Sequence, residues 1–191
     1  MTGQLGNLCR LSITNVTMVP KWIRRACLPV LSYLKIVVWQ EQRDDIQVLG
    51  TLPCLRHLIF NVREGVVERC AVGADAFQRA VSCEFNIEGA GAGTGTGVLP
   101  CMFPRGAMPM LQDYKFSIGY EQLRSVAVED LGLNLGHLTS LRSVTVRGLD
   151  VHYIGGEAII KDKVKGVREK LEQEAAAHPN HPLQIHGRFA F

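Results

Sequence analysis

Apolar residues along the chain return in a fixed frame, at neither a plain helical nor a plain strand period. Leu5, Leu8, Leu11 and Ile13 are separated by three, three and two positions, and the same spacing returns at Leu28, Leu31, Leu34 and Ile36. It recurs at Leu52, Leu55, Leu58 and Phe60, then more weakly at Phe77, Ala80, Cys83 and Phe85. The last two copies are Met108, Leu111, Tyr114, Phe116 and Leu138, Leu141, Val144, Val146. Successive copies begin 23, 24, 25, 31 and 30 residues apart. A unit this short cannot enclose its own core, so the copies must stack and bury one another.

Each copy ends in an alternating pair such as Leu34-x-Ile36, whose period of two sends both side chains to one face of a short strand. The strands are expected to stack in parallel, with the chain turning back near Pro20, Gly50, Gly65 and Gly148. The early intervals fall within the ~20–29 residues of leucine-rich repeats. The expected fold class is therefore α/β, a leucine-rich-repeat solenoid with a curved parallel sheet and irregular repeats. Three positions beyond Ile13, Phe60 and Val146 stand Val16, Arg63 and Leu149, so the backbone-bonding asparagine of many such repeats is missing there. A tract alternating in glycine, within a loop at 88–98, falls in the longest interval and has almost no side chain able to pack.

From Glu157 to Ala177 the period changes to 3.6, with Ile160, Val164, Val167, Leu171 and Ala175 on one stripe. This predicts an amphipathic helix that covers the last coil, with i,i+4 charge pairs Lys165–Glu169 and Lys170–Glu174, followed by a strand at Leu183-x-Ile185. The expected organisation is six repeats over 1–154 and a capping helix and tail over 155–191. At the other end a repeat opens at Leu5, which predicts an uncovered edge strand and a fragment or truncated product of a longer polypeptide.

Residues alternating with the buried strand positions face the opposite, concave side. They are Arg10, Ser12, Tyr33, Lys35, His57, Ile59, Glu84, Asp113, Lys115, Ser143, Thr145 and Arg147. Their mixed charge and long side chains suit a protein partner better than a small apolar ligand. Trp22 is expected in the core, whereas Trp39, just beyond a strand, is equally placed for core or for a binding anchor.

Composition narrows the chemistry. Hydrophobic residues make up 47% of the chain, which excludes disorder, and 21 basic against 18 acidic side chains leave +3 with no basic block to call for nucleic acid. The start lacks a secretory pattern and no apolar run approaches the ~20 residues of a membrane span, so a cytoplasmic protein is expected. Six dispersed cysteines, none in a Cys-x-x-Cys pair, read as buried reduced thiols. His178, His181 and His186 cluster without a cysteine or carboxylate set, so no metal is expected, and no cofactor. Neither a Gly-x-Ser-x-Gly elbow nor a His-Glu-x-x-His pair occurs, and the glycine tract lacks the lysine and hydroxyl that grip phosphate, so no enzyme is expected.

Certain segments are more specific than the leucine frame. Val19-Pro-Lys-Trp-Ile23, Leu28-Pro-Val-Leu-Ser-Tyr-Leu34, Leu49-Gly-Thr-Leu-Pro-Cys-Leu-Arg-His-Leu58, Leu133-Asn-Leu-Gly-His-Leu-Thr-Ser-Leu-Arg-Ser-Val-Thr-Val146 and His178-Pro-Asn-His-Pro182 occur in that order. Together they resemble the C-terminal repeats of grass nucleotide-binding leucine-rich-repeat disease-resistance proteins, over nearly the whole chain. The resemblance implies a module that senses a pathogen effector or a host protein, or restrains the receptor's own nucleotide switch. The alternative is a repeat adaptor or scaffold presenting a client to a ubiquitin ligase or kinase.

Overall fold

The computed structural model describes residues 5–39, 44–63, 73–87, 104–118, 135–148 and 158–182. In it every copy of the frame opens with a tight turn. The second frame residue donates its N–H to the carbonyl of the first in all six copies, as in Leu8 to Leu5 (3.0 Å), Ala80 to Phe77 (3.0 Å) and Leu141 to Leu138 (2.8 Å). That bond explains the first spacing of three, because closing the turn directs both apolar side chains to the same side.

A strand follows each turn: β1 (Arg10–Val16), β2 (Tyr33–Val38), β3 (His57–Val62), β4 (Ser82–Ile87), β5 (Asp113–Ile118) and β6 (Ser143–Gly148). They form one sheet in chain order, every pair parallel. The register aligns the frame with itself. Leu11, Leu34, Leu58, Cys83, Tyr114 and Val144 form one row of partners, and Ile13, Ile36, Phe60, Phe85, Phe116 and Val146 the next.

Backbone bonds lock this register before the strands begin. The residue after each turn (Cys9, Ser32, Arg56, Val81, Gln112) offers one carbonyl to two consecutive N–H groups of the next coil, at 2.8 to 3.1 Å. Between coils lies a continuous core, in which Leu28, Leu34, Ile36, Phe60, Phe77, Tyr114, Leu138 and Val144 are buried. Phe60, Phe85 and Tyr114 meet edge-to-face, with ring centroids 6.4 and 6.2 Å apart.

The return from β2 to β3 carries a short helix, α1 (Asp45–Gly50). A Cβ on its last residue, Gly50, would lie 2.7 Å from the Ala76 Cβ, so the next coil can approach only a glycine here. The Gly50 carbonyl accepts the N–H of Phe77, a buried residue held at φ 54.

A turn of 3-10 helix at Leu135–His137 precedes β6, and α2 (Ala158–Ala177) packs against it. Val164, Val167, Leu171 and Ala175 of α2 are buried, as the stripe predicts. Lys165–Glu169 spans 3.8 Å, and Arg168–Glu172 forms a closer pair at 2.8 Å. The segment after α2 returns to the sheet: the Pro182 carbonyl accepts the Val144 N–H at 2.9 Å. The strand expected at Leu183-x-Ile185, the glycine tract, and the side chain of Ile160 lie outside the described residues.

His178 and Asn180 clasp this end. The buried His178 ring receives the Asn180 N–H on Nδ1 (3.1 Å), which leaves Nε2 to donate to the Leu138 carbonyl (3.1 Å). The Asn180 amide donates to the carbonyls of Thr139 (2.9 Å) and Leu141 (3.0 Å). By contrast, among the described residues the first coil packs on the second alone, and Leu8, Leu11, Ile13 and Val16 are half-buried while Leu5 is exposed.

Two expectations need correction. Trp22 is exposed, and the neighbouring Ile23 fills the core instead, because the turn closed by its N–H on the Pro20 carbonyl (2.9 Å) aims it inward. Of the cysteines described, Cys83 is buried, Cys27 and Cys54 are half-buried, and Cys9 is exposed on the uncovered first coil; Cys70 and Cys101 lie outside the described residues.

Leu34→Ala and Leu58→Ala should each cost about 2–5 kcal/mol in urea unfolding, since each empties a fully enclosed site between two coils. His57→Ala, on the exposed face of the same strand as Leu58, should stay within about 0.5 kcal/mol. His178→Ala should lower stability by about 1–3 kcal/mol by leaving the buried Leu138 carbonyl without a donor, and Asn180→Ala by about 1 kcal/mol, since of its two acceptors the Thr139 carbonyl is exposed and only that of Leu141 part-buried. Faster hydrogen exchange confined to β6 and α2 would be the signature of the opened clasp.

Candidate interaction face

Strands in a sheet stack ~4.8 Å apart, closer than return segments carrying turns and helices ~10 Å wide. The sheet therefore takes the inner, concave side of the stack, and the side chains alternating with its core positions cover that surface. The parallel register sorts them into rows. The first row reads Arg10, Tyr33, His57, Ser82, Asp113, Ser143, and the second reads Ser12, Lys35, Ile59, Glu84, Lys115, Thr145. Eleven of the twelve residues expected on this face thus fall in two adjacent rows, and the twelfth, Arg147, lies in a third.

Beside Arg147 and Trp39, that third row holds residues the sequence reading missed. Val37, Asn61 and Asn86 are direct partners, as are Ser117 and Arg147. Beyond β2 and β3 the alternation continues to Trp39 and Arg63, whose N–H groups extend the ladder to Val16 and Val38 carbonyls at 2.9 Å. Ser82 completes the first row. The available signal was the period of two itself, carried one residue further in each strand.

The face divides electrostatically. Over β1 to β3 its described residues include Arg10, Lys35, His57 and Arg63 and no carboxylate. The Arg10 guanidinium sits 4.5 Å from the centroid of the Tyr33 ring, and that of Arg63 5.3 Å from the Trp39 ring. Stacking holds each guanidinium in place while leaving its N–H edges open. Trp39 remains 39% exposed, enough to touch a partner.

Over β4 to β6 the face carries one paired cluster, built on Glu84. Glu84 accepts hydrogen bonds from Arg147 (2.9 Å) and from the Asn86 amide (2.8 Å), and that amide also donates to Asn61 Oδ1 (3.1 Å). Asn86 is 8% exposed, and its own Oδ1 has no partner. Flipping the amide would set this oxygen against the oxygens of Glu84 and Asn61, so the acceptor is fixed where it lies.

A separate shallow groove of about 450 Å³ lies beside the turns, lined by Gln112, Thr139, Ser140, Arg142 and Asn180. Asn180 is committed to the clasp there. Among the described residues no group of three His, Cys, Asp or Glu side chains is placed to hold a metal ion, and no helix is long and apolar enough to cross a membrane. Both ring nitrogens of His178 are engaged.

Six frames, six parallel strands and one mixed polar face now meet an independent observation: the family model described as a leucine-rich repeat region matches residues 2–184. The chain belongs to this family. Comparison with curated proteins gave no match. A leucine-rich repeat region is in general a protein-binding scaffold, and the stacking of its units creates an extended concave surface for that purpose. In this leucine-rich repeat region the surface comprises a basic half and a half in which Arg147 and Asn86 hold the Glu84 carboxylate.

Glu84 is mostly covered whereas Arg147 is more than half exposed, so solvent weakens their attraction. A double-mutant cycle with Glu84→Ala and Arg147→Ala, read by thermal unfolding, should give a coupling of about 0.2–1 kcal/mol.

Proposed function

We propose that this chain is a protein-recognition module of plant innate immunity, working in the cytoplasm as the repeat region of a nucleotide-binding disease-resistance receptor. Its partner is a pathogen effector, a host protein, or the receptor's own nucleotide-binding domain. The chain performs no reaction itself on this reading; binding on the concave face is its whole contribution.

The observation that carries the reading is that the family-like segments have distinct structural duties, in the order in which they occur. The Pro20–Ile23 turn seats Ile23 in the core, Leu52 to Leu58 form a turn and strand, and His178 and Asn180 clasp the final coil. A bare leucine frame would require only the second of these. The mixed-charge face, with Trp39 and Tyr33 half open to solvent, has the aromatic and arginine content of protein interfaces.

Tagged chain incubated with extract of infected grass leaf should retain a nucleotide-binding switch domain, an effector or a host target, identified by mass spectrometry. Lys35→Glu with Lys115→Glu should abolish that retention, since a like charge facing a complementary surface opposes binding. Recovery of none of these classes, or retention indifferent to the double substitution, would overturn the proposal.

A further inference from the structure

Resting on that reading, we propose that the basic half of the concave face receives an extended acidic segment of the partner protein, its carboxylates gripped by Arg10, Lys35 and Arg63. Three observations lead to this ligand class.

First, the charge is one-sided where the face is open. Among the described residues, β1 to β3 place no carboxylate on the face, and Arg10, Lys35 and Arg63 have no ion-pair partner there. Glu84, the nearest acid in the rows, is already held by Arg147 and Asn86. A cationic strip left unpaired attracts anions by field and by contact.

Second, the cations lie at defined levels. Arg10 is level with Tyr33, Lys35 stands two residues on, and Arg63 follows Val62, the partner of Val38, and so lies level with Trp39. At ~3.3 Å per residue the strip runs roughly 20 Å along the sheet. An extended peptide climbs at the same rise, so acidic side chains two and six residues apart match Arg10, Lys35 and Arg63 in turn.

Third, each aromatic ring already has a cation over one face. Arg10 stacks on Tyr33 and Arg63 on Trp39, so the rings stay partly open but are not bare platforms. A nucleic acid strand would need those ring faces for its bases; a carboxylate needs only the guanidinium edges.

The test uses the full chain and three fluorescein-labelled probes of equal length: an alternating Glu-Gly peptide, an alternating Lys-Gly peptide and a single-stranded DNA of matching charge, followed by anisotropy. The acidic peptide should bind saturably and more tightly than the other two. Lys35→Glu and Arg63→Glu should each weaken it by at least about tenfold, with circular dichroism unchanged. Arg63→Lys, which keeps the charge and loses the stacked fork, should fall between. Lys165→Glu on the exposed side of α2 should have no effect. Preference for the basic peptide, equal binding of DNA, or an equal loss with Lys165→Glu would overturn the proposal. If the acidic peptide fails while Lys35→Glu and Arg63→Glu still release the partner retained from leaf extract, the acidic class falls and protein recognition on this face stands.

Discussion

Everything in this molecule depends on one backbone contact repeated between coils: a carbonyl just after each turn that holds two N–H groups of the next coil. No coil has a hydrophobic interior of its own, so the aliphatic frame is stabilising only when a neighbour lies in register above it. The carbonyl ladder sets that register at the turn, before any side chain packs. A slip of one residue would carry Leu34, Leu58 and Val144 from the core to the concave face. Hydrogen bonding therefore specifies which stacking occurs, and apolar burial supplies most of its strength.

Because cover is supplied by neighbours, the two ends differ. At one end Pro182, His178 and Asn180 return to the last coil and satisfy its carbonyls and an N–H of β6. Toward the other, among the described residues β1 pairs with β2 alone, and its frame residues stay half-buried. In a stack of nearest-neighbour units each coil draws its stability from the coils beside it.

The repeat was readable because its spacing reflects two rigid geometries, a closed turn and a strand of period two, and neither depends on remote residues. Thus Leu34 and Ile36, or Leu58 and Phe60, could be placed on the core side by counting. Counting stopped too early at the functional surface. Val37 is itself apolar and interrupts the alternation after Ile36, which hid the row running through Asn61 and Asn86 to Trp39 and Arg63. Trp22 and Ile23 are adjacent apolar residues in a turn, and only the bond closed on Pro20 decides which is inward. Pairings such as Glu84 with Arg147 span 63 positions and depend on the strand register, which no local pattern carries. The histidines near the end suggested metal ligands to be weighed, whereas His178 is a strut, a role set by the Leu138 carbonyl forty residues away and by the Asn180 N–H.

The glycine at the end of α1 has a further bearing on how such a molecule can change. Gly50 lies so close to the Ala76 methyl and the Phe77 ring of the following coil that no side chain fits, which fixes the spacing of these coils through the glycine backbone itself. The intervals of 31 and 30 residues, by contrast, leave the strands after them in the same alignment. The longer intervals thus leave the first two rows of the inner surface continuous, although β4 and β5 pair only as far as Phe85 and Phe116. Outer ornament and inner alignment are separable variables in this architecture, and a lineage can remodel the first extensively while the second continues to present the same ordered rows to whatever it meets.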